Sequence, residues 1–141
     1  MEHRISATAS AAPSDVWRLF TDVERWPELT ESITALHRLD GGPLAVGSEV
    51  QLKQPAFPPT RWRVTELQPG RSFAWESVSG GMTTVGDHIV EPHGDGSLIT
   101  LTLRTHGPMS GLLSVLLGRR SLRYITMELD GFRRAAEAAR A

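Results

Sequence analysis

No cysteine occurs in this chain, so thiolate nucleophiles, disulfides and thiolate metal sites are excluded, and acid–base work near neutral pH falls to five histidines. His3, His37, His93 and His106 fall on separate strands and a turn, and none has metal-ligand spacing with another. His106, at a strand end beside Gly107-Pro108, reaches at most the rim of an interior. His88 stands in an alternating segment whose phase follows from the next turn. A tight turn at Gly94-Asp95 pairs Val90 with Ile99, His88 with Leu101 and Gly86 with Leu103. Ile99, Leu101 and Leu103 are the apolar face of that last strand, so His88 points inward with them. A three-residue loop would reverse the phase and turn Asp87 and Ile89 inward instead. An inward histidine can be a general acid/base, a donor to a ligand carbonyl, or a structural residue satisfied by Thr84 or water. The sequence sets no carboxylate beside it; Gln54, Arg63 and Glu66 are peripheral polar candidates. GxSxG, HExxH, P-loop and GxGxxG motifs are absent, and no metal or cofactor is expected.

The elements that must hold His88 can be read from periodicity. Residues 1–10 alternate, with Ile5, Ala7 and Ala9 on one face, as a half-buried strand does. Pro13 suits a first helical turn, and Val16, Leu19 and Phe20 give that short helix its apolar stripe. Asp22 is placed to cap a second short helix. Trp26-Pro27 biases Trp26 away from helical geometry, so this helix should be short or broken. Strands are expected over 32–40, 47–54, 60–67, 71–78, 82–91 and 97–106, each bounded by Gly, Pro or Asp turns, and short connections favour an antiparallel meander. From about residue 109 the period returns to 3.6. Leu122, Ile125, Leu129, Phe132, Ala136 and Ala139 form one stripe of a helix about 45 Å long. Arg119, Arg120, Arg123, Glu128, Asp130, Arg133 and Arg134 are assigned to its other faces, and Tyr124 to the surface.

These elements have one economical packing: an α+β fold in which a seven-stranded curved antiparallel sheet wraps the long C-terminal helix. Two short helices between strands 1 and 2 close one end, and residues 1–141 form a single domain. A sheet bent around a helix leaves a cavity. If Pro69-Gly70 is a turn, Val64 lies opposite Trp75 and Trp62 opposite Ser77, which sets Trp62, Val64, Phe73 and Trp75 on the inner face. The expected lining is Trp26, Val50, Leu52, Trp62, Val64, Phe73, Trp75, Met82, His88, Leu101, Leu103, Ile125 and Leu129. Met82 and Met127 are adaptable packing. The run Leu112 to Leu117 is apolar nearly all round and must be buried, cover the cavity mouth or form an interface, so a homodimer is one option.

A net charge of −1 and 22% charged residues give no overall excess that points to nucleic acid or an anionic surface. The N-terminus lacks a signal-peptide core and no apolar run suits a membrane span, so a cytoplasmic protein is expected.

Particular residues at the joints carry a resemblance. They are Ala12-Pro13 with Val16-Trp17, Trp26-Pro27, Val46-Gly47 and Trp62-Arg63-Val64-Thr65-Glu66-Leu67 followed by Pro69-Gly70. Phe73-Ala74-Trp75, Val90-Glu91-Pro92, Gly94-Asp95-Gly96-Ser97 and Gly107-Pro108 complete the set. Together they make essentially the whole chain similar to the SRPBCC (START-like, helix-grip) superfamily, polyketide cyclase/dehydrase-like group. The resemblance implies the helix-grip fold and a small hydrophobic ligand, a lipid or a polycyclic, polyketide-like metabolite. It also offers a second reading, an aromatic polyketide cyclase or dehydratase with His88 as catalytic residue. A third reading is an interaction module that uses residues 112–117.

Overall fold

Residues 1–140 are described by the computed structural model, except for the side chains of Leu113 and Arg140. Ala141 and those two side chains lie outside the described residues. The alternating N-terminus forms β1 (Glu2–Ala9), followed by α1 (Pro13–Thr21), a 3₁₀ turn (Val23–Arg25) and α2 (Trp26–Leu29). Six strands come next: β2 (Ala35–Arg38), β3 (Glu49–Lys53), β4 (Thr60–Gln68), β5 (Ser72–Ser79), β6 (Met82–His93) and β7 (Gly96–His106). The last element is α3 (Ser110–Arg140), 31 residues long. All seven strands pair antiparallel in the order β1-β7-β6-β5-β4-β3-β2, so the meander is closed at one edge by the N-terminal strand.

The register that orients His88 follows from a single turn. β6 and β7 are joined by the two-residue loop Gly94-Asp95, and Gly94 takes φ 56°, a positive value such tight hairpins need at their first central residue. The pairs are Val90 with Ile99, His88 with Leu101 and Gly86 with Leu103, as the sequence predicts. Asp87 therefore faces the other way, and its carboxylate accepts the Thr102 hydroxyl at 2.7 Å.

The β4–β5 hairpin differs from expectation near its turn. Gln68 pairs with Ser72 and Leu67 with Phe73, one residue off the predicted register. A bulge between Val64 and Glu66 then restores Val64 opposite Trp75. The extra residue keeps Leu67 on the inner face beside Phe73; a straight ladder would have put Glu66 there.

Two local expectations around Trp26 are corrected. Trp26 adopts helical angles (φ −55°, ψ −36°) even though proline follows it. Its indole is fully buried and donates to the Leu19 carbonyl at 3.0 Å, and these tertiary contacts override the local bias. Asp22 sits at the start of the 3₁₀ turn but its side chain makes no capping bond; the carboxylate instead faces Arg25.

The core is aromatic. Phe20, Trp26, Phe73 and Phe132 bring together α1, α2, β5 and the C-terminal half of α3, with edge-on contacts of Phe132 to Phe20 and Trp26 at centroid distances of 5.1 and 5.0 Å. Gly131 makes this approach possible, because a Cβ there would collide with the Leu29 carbonyl that ends α2. Ile125, Leu129, Phe132 and Ala136 of the predicted stripe are buried. Leu122 is 40% exposed and Ala139 is exposed, which corrects both ends of the stripe.

Candidate functional site

Where α3 lifts away from the sheet, the curved face of β3 to β7 leaves an interior cavity of about 510 Å³. That is the size range of sites for drug-sized molecules. Leu52, Trp62, Trp75, Met82, His88, Leu101, Leu103 and Ile125 all line it. Trp26, Val50, Val64, Phe73 and Leu129, expected on the wall, belong to the packed core instead. The physical reason is position along the sheet: Phe132 and the short helices fill the end where these residues sit, so no space remains beside them.

The cavity face of α3 is the main correction to the sequence reading. Leu117, Ser121, Tyr124, Ile125 and Glu128 face the space, at helical steps of three and four. Tyr124 is not a surface residue; its ring meets Phe57 edge-on at 5.8 Å and both line the cavity. Glu128 is not on a solvent face; its side chain is 15% exposed and points to His88.

His88 is held tightly. The ring stacks on Phe73 at 4.3 Å with a 13° tilt, and Phe20, Trp26, Trp75 and Phe132 surround it. Its side chain is 5% exposed. Nδ1 lies 3.4 Å from the Phe73 carbonyl oxygen, and Nε2 lies 3.5 Å from Glu128 Oε1. Thr84, expected to satisfy this ring, is engaged with Thr105 at 3.2 Å. Both ring nitrogens thus face acceptors. A neutral imidazole carries one N–H only, so donating Nδ1–H to Phe73 would leave the Nε2 lone pair against a carboxylate. The arrangement sets one imidazole and one carboxylate side by side on the cavity wall. Both contacts are long for hydrogen bonds.

The rest of the wall is aromatic and polar by turns. Trp62 and Trp75 lie 5.8 Å apart and form one side. Trp75 turns its Nε1 edge over Gly86, and the buried Trp62 Nε1–H has no hydrogen-bond partner among the described residues. Ser77, Thr60 and Gln54 add neutral polar groups, whereas Arg63 and Glu66 do not line the space. Among the described residues no arginine or lysine lines it either. Among the described residues there is no group of three or more His, Asp or Glu side chains that could hold a metal ion. No helix among them is long and apolar enough to cross a membrane.

A sheet that grips one long helix over an internal, partly polar cavity defines a class of ligand-enclosing folds. The family model described as "Polyketide cyclase / dehydrase and lipid transport" matches residues 2–137, and the chain belongs to that family. Solved structures agree in fold. TTHA0849 from Thermus thermophilus is 21% identical, with a TM-score of 0.80 over 100% of both chains. The di-domain ARO/CYC StfQ from the steffimycin biosynthetic pathway is 14% identical, with a TM-score of 0.79 over 99% of this chain and 51% of its own. This chain therefore spans about half of that protein. Ginseng major latex-like protein 151 from Panax ginseng is 14% identical, with a TM-score of 0.73 over 94% of this chain and 97% of its own. No curated protein matches by sequence. At these identities the structures share the fold alone.

Proposed function

We propose that this protein binds a neutral, polycyclic or polycarbonyl molecule in the cavity and catalyses a proton-transfer step on it, as a cyclase or dehydratase does. The observation that carries this reading is Glu128 Oε1 at 3.5 Å from His88 Nε2, on the wall of a cavity lined by Trp62 and Trp75. Burying an ionisable pair in a cavity wall costs stability, a cost that a proton-transfer role offsets. An acid–base enzyme needs such a pair, because one proton must leave carbon and one must reach an oxygen. His88 and Glu128 exchange that proton as a unit, and the aromatic walls hold the flat substrate. The cyclase and dehydrase part of the family description and the ARO/CYC name of StfQ support the same chemistry, and the lipid-transport part supports carriage.

The test uses 2-tetralone, a small bicyclic ketone with exchangeable α-protons. Proton NMR in deuterated buffer follows their replacement. Wild type should accelerate exchange, and Glu128→Gln and His88→Phe should each lower that rate by about 10²–10⁴-fold while tryptophan fluorescence still reports binding. Binding without any accelerated exchange by wild type would assign the cavity to carriage of a hydrophobic ligand alone.

A further inference from the structure

The outer face of α3 in its first half is apolar where a helix normally meets water. Leu112, Val115 and Leu116 are 50, 84 and 65% exposed, and Met109 just before the helix is 46% exposed. At 3.6 residues per turn, Leu112, Val115, Leu116, Arg119, Leu122 and Arg123 share the half of the helix opposite Leu117, Ser121, Tyr124 and Glu128. Arg119, Arg120 and Arg123 are exposed beside them. No Asp or Glu occurs between Asp95 and Glu128, so a chain of net charge −1 gathers positive charge here. The patch also borders the cavity, since Met109 and Leu117 line the space beneath the helix start.

We infer that this face docks on an anionic lipid bilayer surface. Leucine and valine side chains would enter the headgroup–acyl boundary and the arginines would meet lipid phosphates, the pattern of an interfacial amphipathic helix. Charge selects this occupant over a second copy of the chain. A second copy offers these arginines no carboxylate on the same face, since no Asp or Glu lies between Asp95 and Glu128. The inference stands apart from the His88–Glu128 chemistry and does not depend on it. Its consequence is that a ligand soluble in the bilayer can reach the cavity from the membrane side.

Sedimentation with vesicles tests it, using phosphatidylcholine with and without phosphatidylglycerol. The wild-type protein should bind the phosphatidylglycerol vesicles about a hundredfold more tightly than phosphatidylcholine alone, as three arginines near an anionic surface imply. Added salt should release it. Val115→Ser/Leu116→Ser should lose binding to both vesicle types, and Arg119→Gln/Arg120→Gln/Arg123→Gln should lose the preference for phosphatidylglycerol. These positions are exposed, so unfolding midpoints should stay unchanged. The inference is overturned if wild type binds neither vesicle, or if both variants bind as wild type does. It is equally overturned if wild type instead forms a dimer that Val115→Ser/Leu116→Ser dissolves, which would make the face a self-interface.

Discussion

The two halves of α3 obey opposite rules. From Leu129 to Ala136 the helix is built as periodicity prescribes, with Leu129, Phe132 and Ala136 buried and Arg133 and Arg134 outside. Between Leu112 and Glu128, Leu112, Val115, Leu116 and Leu122 are exposed, whereas Ser121, Tyr124 and Glu128 join Leu117 and Ile125 on the cavity side. The first pattern is a core, held by the burial of aromatic and aliphatic side chains. The second is the wall of a cavity. A helix that sets ionisable and hydroxyl groups against a cavity and leucines toward the exterior departs locally from the pattern that maximises stability.

Substitutions along the helix can break this contrast. Phe132→Ala should cost about 3–5 kcal/mol and Leu129→Ala about 2–5 kcal/mol, because both leave a void in the packed half; chemical denaturation checks each. Either change leaving the unfolding midpoint where it was would show that this half is not the fold's anchor. In the cavity, Trp75→Phe keeps the apolar wall and removes one N–H. It should weaken binding of 2-naphthol by about 0.5–1.5 kcal/mol and leave naphthalene unaffected, as fluorescence titration can measure. Equal losses for both ligands would make Trp75 a packing surface only. Leu122→Ala should change stability by no more than about 0.5 kcal/mol, since the side chain is 40% exposed; a large loss would restore the stripe predicted from sequence.

The smallest effect concerns pH. The Arg133 hydrogen bond at 2.7 Å, followed by the charges of Arg134 and Arg133, holds the Asp130 carboxyl below its ordinary value of 3.8 against a partial desolvation effect. The Ser10 hydroxyl and then Arg133 hold Glu137 below its ordinary value of 4.5 against desolvation. Groups with depressed folded values stabilise the fold above the unfolded value and lose that contribution as pH falls through the folded one. Asp130→Asn should therefore lower the unfolding midpoint slightly near neutrality, and the difference should vanish in acid. A difference that grew on acidification would reverse the assignment.

Much of this architecture was legible in the residues. Gly94-Asp95 and the alternation of Ile99, Leu101 and Leu103 sufficed to aim His88 inward, because a two-residue hairpin leaves the register no freedom. The Val64–Trp75 pairing was also right, yet partly by compensation: a three-residue loop at Pro69 shifted the ladder and the bulge at Thr65 shifted it back. No residue type announces that bulge. Glu128 was missed for a different reason. Periodicity sends the most apolar stripe inward, and the Leu112–Leu117 run is too uniformly apolar to fix the phase of the helix. The available signal was Ser121, Tyr124, Ile125 and Glu128 at steps of three, one and three, a stripe suited to a polar cavity and not to a core. Trp26 was misplaced because its preference before proline is local, whereas the hydrogen bond to Leu19 is tertiary.

The central claim is that His88 and Glu128 act as one proton-exchanging unit, and a double-mutant cycle on 2-tetralone exchange tests it most directly. Groups that act together are non-additive. His88→Phe, Glu128→Gln and the double variant should all fall to about the same residual rate. A double variant whose loss is the product of the two single losses would mean that the residues act independently, and the pairing seen across the cavity would not be the basis of the chemistry.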